Sequence, residues 1–354
     1  MKKIATFLIM LLTAQIAVSQ YNCTDLLNAI DNKDINEVRK MLKSADLDCY
    51  VSDRNPRTPL VLASRRGYEA ISLALIAAGA DVNFHHKNDE TPLMAASGSG
   101  MLEVVKTMID KGANVNKVAP GDGTALLIAA REGQYNIVEY LIDKGANVNK
   151  AVRGDGTPLS NAIDRGHQEI VMLLLDNGAD PNLGTGSDGH PVWMAAREDN
   201  LEAIKLLIEK GGDINKSYDG DGTALIQAVR QGNLGMVKAL VDLGADIDKG
   251  VSGDGNPLIM AAKGGHTDIV RYLIELGANI DYEITGDETP LINAAAQGHF
   301  KIVKLLVESG ADVNKSSRDG NFFNSSLRTP LKMARKYGYD EIEDYLIDNG
   351  ATNE

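Results

Sequence analysis

The residues able to do chemistry are few and scattered. Six histidines (His85, His86, His167, His190, His266, His299) and two cysteines (Cys23, Cys49) stand in 354 residues. A zinc hydrolase would carry H-E-x-x-H on one helix face, and a thiol redox centre would carry C-x-x-C; neither pattern occurs. No serine occupies a G-x-S-x-G elbow. The glycine-rich turns are not followed by Lys-Ser/Thr, as a phosphate cradle requires. Asp219-Gly220-Asp221-Gly222 opens like a calcium loop, but the regular oxygen ligands and the closing glutamate are missing. Such Gly-Asp-Gly stretches read as turns in which Asp bonds its own backbone. The expectation is therefore no catalytic residue, no metal and no cofactor. Of the six histidines, His167, His266 and His299 share one slot just after a glycine, where a structural role is expected. His85-His86 read as a solvated loop.

The two cysteines leave two readings open. In an oxidising compartment the pair Cys23–Cys49 forms a disulfide, adding roughly 3 kcal/mol by the chain-entropy model. Alternatively Cys49, in the slot held later by Val82 and Val115, is simply a small apolar residue.

What positions these residues is a repeat. Pro59, Pro92, Ala125, Pro158, Pro191, Ala224, Pro257 and Pro290 occur 33 residues apart. A period of this length marks stacked helical units. In the cleanest copy, Gly154 to Asn182, Thr157 is an N-cap and Pro158 opens a short helix. Leu159, Ala162 and Ile163 form its buried face, and Gly166 ends it. A second helix follows, with Ile170, Val171, Leu174 and Leu175 on one stripe, and Gly178 ends that one. Gly/Asp clusters then supply a projecting hairpin turn. A hydrophobic content of 44% with only 5% aromatics suits thin aliphatic layers between such helices.

These motifs identify a resemblance. The runs Thr58-Pro59-Leu60, Thr91-Pro92-Leu93 and Thr289-Pro290-Leu291, then A-A, G-H, I-V-x-L-L and G-A-D/N-x-N, are similar to the ankyrin repeat from Thr24 to the end. Gly-Asp-Gly before T-P-L looks like the bacterial subgroup. The resemblance implies an all-α fold, an ankyrin-repeat solenoid of helix-turn-helix units with projecting β-hairpin loops. One departure is plain. The family pattern usually has His after T-P-L, where this chain has Val61, Met94, Leu127, Ser160, Trp193, Ile226, Ile259 and Ile292.

Residues 1–19 read as a secretory signal peptide: Lys2 and Lys3, the apolar run Ile4–Leu12, then Ala17-Val18-Ser19 before a cut at Gln20. Residues 20–354 are then one ankyrin-repeat domain. It divides into an N-terminal cap (23–51), eight repeats (about 52–318), a loop insertion (about 316–328) and a C-terminal cap (328–354). The insertion stretches the spacing between Pro290 and Pro330 to 40 residues. The signal looks bacterial, so the expected location is periplasmic or secreted, with no membrane insertion after cleavage. Losing Lys2 and Lys3 takes the net charge from −13 to −15. An acidic exported chain is a poor partner for nucleic acid or anionic lipid.

Function is then sought on surfaces. Ankyrin arrays usually meet partners at hairpin tips and the exposed side of the first helices. Two slots before the first-helix glycine hold a basic residue in six of eight units, including Arg65, Arg131, Arg165, Arg197, Arg230 and Lys263. They line a groove for an acidic protein segment, or each is neutralised by Glu132, Glu198 or hairpin aspartates such as Asp155 and Asp254. Trp193, the only tryptophan, fills inter-repeat space or makes a contact hot spot. Phe322-Phe323, in the inserted loop, contact a partner or fold back. The chain is expected to be a monomeric, non-enzymatic protein–protein interaction scaffold. The alternative is an immunity or inhibitor-type protein, or a helper, for a periplasmic or secreted enzyme or toxin.

Overall fold

The computed structural model describes residues 21–51, 58–86, 89–119, 123–184, 189–217, 222–284, 288–318 and 327–352. Within them lie twenty helices, taken in consecutive pairs, and one two-stranded ladder. The first helix of each pair is short because its ends are chemically defined. Thr58, Thr91, Thr124, Thr157, Thr223, Thr289 and Thr329 each accept a hydrogen bond from the N–H three residues on. Proline at the first helical position costs no hydrogen bond there. Seven or eight residues later the chain turns through a left-handed residue, a glycine in most units, as at Gly166 (φ 71°). At one turn Asp199 takes that conformation instead (φ 54°), a setting that favours glycine.

The second helices carry the core stripe. Ile137, Val138 and Leu141, and likewise Ile204 and Leu207, are at most 2% exposed. Each such side chain stabilises the fold by about 1.5–3 kcal/mol when fully buried. Within each of two sets of five consecutive pairs, first helices pack on first helices of neighbouring pairs, and most second helices on second helices. The result is an all-α ankyrin-type stack with almost no strand.

The chain divides into two compact units, Met1–Ala179 and Asp180–Glu354. The first unit holds five helix pairs, from Cys23–Asp31 with Ile35–Met41 to Pro158–Asp164 with Gln168–Asp176. The second holds five more, from Pro191–Arg197 with Leu201–Glu209 to Pro330–Tyr337 with Asp340–Asp348. Hairpins close through the isolated bridges Ala119–Gly123, Val152–Gly156 and Val251–Gly255. The strands Ser317–Arg318 (β1) and Leu327–Arg328 (β2) pair antiparallel at the base of the inserted loop.

Without a histidine after T-P-L, neighbouring turns are tied from elsewhere. In the first unit Asn83 Oδ1 accepts from the Asn114 N–H (2.9 Å) while its amide donates to the Gly112 carbonyl (3.0 Å). Asn116 does the same with Asn147 and Gly145. Asn182, Asn215 and Asn314 repeat this in the second unit. The side chains in the former histidine slot are buried instead: Val61, Met94, Leu127, Ile226, Ile259 and Ile292 are at most 1% exposed.

Candidate functional site

Each basic candidate sits at the C-terminal end of a first helix, and most of them meet a carboxylate. Arg65 ends the helix Pro59–Arg65 and bridges Asp89 (2.6 Å) and Glu90 (2.5 Å) on the next hairpin. Burial works against its charge, but hydrogen bonds and attraction from Glu90 and Asp89 outweigh this, and its pKa is raised. Asp89 itself is only 9% exposed. Arg131 bonds Glu132 (3.0 Å), and Arg165 lies 3.7 Å from Asp164. In the second unit Arg197 bonds Glu198 (2.7 Å), and Arg230 bonds the buried Asp254. Arg–Asp contacts at a 24-residue spacing thus clasp a helix end to the following hairpin in both units. Lys263 differs: it is exposed and, among the described residues, has no carboxylate partner.

Trp193 is held by a different logic. Its slot is buried in the other repeats named above, but an indole exceeds the space, and Trp193 is half-buried. A Cβ at Gly189 would fall 2.6 Å from its ring, so the hairpin above tolerates only glycine beside it. The Arg197 guanidinium lies 5.4 Å from the ring centroid, a cation–π distance. Beside them His190 replaces the usual threonine, and its helix has no side-chain cap hydrogen bond. Its ring nitrogen Nε2 faces the Ser217 carbonyl at 3.3 Å. Burial, with Lys216 nearby, pushes the His190 pKa down.

The other histidines pack against turns. His167 lies over Gly133, where an added Cβ would come within 2.7 Å of the ring, and its Nε2 is 3.1 Å from the Arg131 carbonyl. His299 sits likewise against Gly265 and the Lys263 carbonyl. These contacts match the structural role read from their shared slot. His85 Nδ1 bonds the Asn83 carbonyl in its own loop. Among the described residues no group of three or more His, Cys, Asp or Glu side chains is placed to hold a metal ion.

Cys23 and Cys49 are joined in a disulfide, with Cα atoms 5.8 Å apart, tying the first helix of the array to the loop after the second. The segment 1–19 and the pair Phe322-Phe323 lie outside the described residues. So do the hairpin residues Asp122, Asp188 and Asp221.

Two features escaped the sequence reading. One is the Asn tether, whose signal was the recurring final Asn of G-A-D/N-x-N. The other is the pair Lys332 and Lys336, which fall within the C-terminal cap and, like Lys263, are exposed with no carboxylate partner among the described residues; they lie on the helix Pro330–Tyr337.

No curated protein matches the chain. A family model described as Ankyrin repeats (3 copies) matches residues 26–119, 118–185, 183–251, 248–317 and 288–354. Repeats of this kind are protein–protein interaction scaffolds and generally non-enzymatic. Capped short helices, turn glycines, the aliphatic stripe and this near-continuous match lead to one conclusion: the chain belongs to the ankyrin-repeat family.

Proposed function

We propose that this chain is an exported scaffold that binds one partner protein through the exposed side of its first helices and its hairpin tips. The observation that carries the reading is Trp193, an indole only half-buried in a slot that other repeats bury fully, with the Arg197 guanidinium 5.4 Å from its ring centroid. Tryptophan and arginine dominate binding energy at protein interfaces. Export is supported by the charged, apolar and small-residue order of residues 1–19 and by the Cys23–Cys49 bridge, which belongs in an oxidising compartment.

The test is affinity purification with cross-linking from the compartment where the protein accumulates, comparing wild type with Trp193→Ala. One protein captured by wild type and lost with Trp193→Ala supports the reading. Equal capture by both variants, or none by either, counts against it. If the captured protein is an enzyme or toxin and purified scaffold inhibits it, the binder is of the immunity type. N-terminal sequencing of the mature chain should begin at Gln20; a chain that retains Met1 rules out signal cleavage.

A further inference from the structure

The second compact unit segregates its charge between its two layers of helices. Its five first helices carry six cations, Arg197, Arg230, Lys263, Lys332, Arg335 and Lys336, and no carboxylate. Its five second helices carry eleven carboxylates and five cations. The six first-helix cations fall into two sets. Arg197, Arg230 and Arg335 are engaged by Glu198, Asp254 and Glu343. Lys263, Lys332 and Lys336 are exposed and have no carboxylate partner among the described residues. Lys336 lies beside the exposed Tyr337, its ammonium 5.2 Å from the ring centroid.

Position orders this second set. Lys263, Ala296 and Lys336 hold the same slot, two residues before the turn glycine, on three first helices that pack in series. Lys332 lies one turn from Lys336 on the same helix face. The middle step is a half-buried alanine, flanked on the exposed side by Gln297. Two cationic points therefore bracket a small, uncharged saddle. With neighbouring helix axes about 8–10 Å apart, the two lysine slots are separated by about 16–20 Å. An extended chain advances about 3.3 Å per residue, so two carboxylates about five or six residues apart would reach both.

From this geometry we infer that the exposed first-helix surface of the second unit, at Lys263, Gln297, Lys332 and Lys336, docks an extended acidic segment of a partner protein. The inference rests on the scaffold reading above and narrows it. The arginines of the unit's first helices are engaged by its own carboxylates, at the helix end, on the following hairpin or on the second helix, and the lysines meet the partner. Charge complementarity selects the occupant: a carboxylate-rich segment gains both lysine points, and a small central step lets its backbone approach. The acidic surfaces of the second helices repel the same segment and direct it to the lysine side.

The test uses the full-length mature protein and a fluorescein-labelled decaglutamate peptide, with decalysine as control, in anisotropy titrations at low salt. Decaglutamate should bind, and binding should weaken steeply as salt rises. Lys263→Glu/Lys336→Glu should weaken it about tenfold or more, while Arg65→Gln/Arg131→Gln should change it less than about twofold. Thermal melts of each variant verify that the array is intact. No decaglutamate binding by wild type overturns the inference, as does an equal loss in the arginine variant. Cross-linking separates this failure from failure of the scaffold reading. Wild-type capture of a partner that Lys263→Glu/Lys336→Glu retains leaves the scaffold reading standing and removes the lysine surface. Decaglutamate binding without any captured partner does the reverse.

Discussion

The first helices of the first unit carry two cations and three carboxylates; those of the second carry six cations and none. The same 33-residue rule built both sets, so the fold does not require the difference. Arg65 shows what a cation at this slot does structurally: it bridges Asp89 and Glu90 across a turn of chain that would otherwise hold buried negative charge. Lys263 occupies the same slot with no such bond among the described residues. One slot thus serves cohesion in one place and is left open to solvent in another.

The largest expected effect marks what the first unit has and the second lacks. Cys23→Ser/Cys49→Ser should lower the stability of the first helix pair by about 3.5 kcal/mol, the chain-entropy value for a separation of 26 residues. Hydrogen exchange should show the loss confined to residues near the N-terminus. Peptide mapping without reductant should show the two cysteines linked; free thiols at both would remove the effect.

The comparison at the shared slot predicts a smaller but more telling contrast. Arg65→Ala should destabilise by about 1–2 kcal/mol, because it strands the Asp89 carboxylate and because half-exposed pairs are discounted by solvent. Lys263→Ala should stay within about 0.5 kcal/mol of wild type, as surface changes without partners do. Equal costs in urea unfolding would erase the distinction between clasp and open cation.

His190 marks the start of the second unit's first helices and lacks the cap that threonine gives elsewhere. His190→Thr should stabilise by about 1 kcal/mol if the hydroxyl restores the N-cap bond. The wild-type residue also makes stability depend on pH. Its folded pKa is depressed, so the unfolded chain binds the proton more readily. The contribution is therefore full above about pH 6.5, the ordinary histidine value, and is lost as pH falls through the folded value. Thermal melts at mildly acidic pH should fall more for wild type than for His190→Thr.

The smallest effect concerns the turn tethers. Asn83 and Asn116 in the first unit both accept and donate, whereas Asp248 and Asp281 in the second only accept, from Asn279 and Asp312. A carboxylate cannot donate to the carbonyl that the asparagine amide reaches. Asp248→Asn and Asp281→Asn should each stabilise by about 0.5–1 kcal/mol, the net worth of one hydrogen bond. A loss of stability would mean that the carboxylates make compensating contacts.

Much of this molecule was legible in its sequence because repeat folds are local. Thr-Pro-Leu with its cap, the turn glycines and the I-V stripe each act within about one unit, and 33-residue spacing copies them. The sequence by itself therefore determined the all-α family, the helix pairs and the slots where basic residues stand. It left undecided which cations are engaged. An Arg–Asp clasp joins residues 24 apart on successive repeats, and nothing in the slot pattern distinguishes it from a neighbouring Arg–Glu contact or an open lysine. Only tertiary packing placed Asp89 and Asp254 in buried positions facing arginines and left Lys263, Lys332 and Lys336 in solvent. Packing likewise left Trp193 half-buried, because the fit of an indole beneath Gly189 depends on volume in three dimensions, which periodicity does not encode.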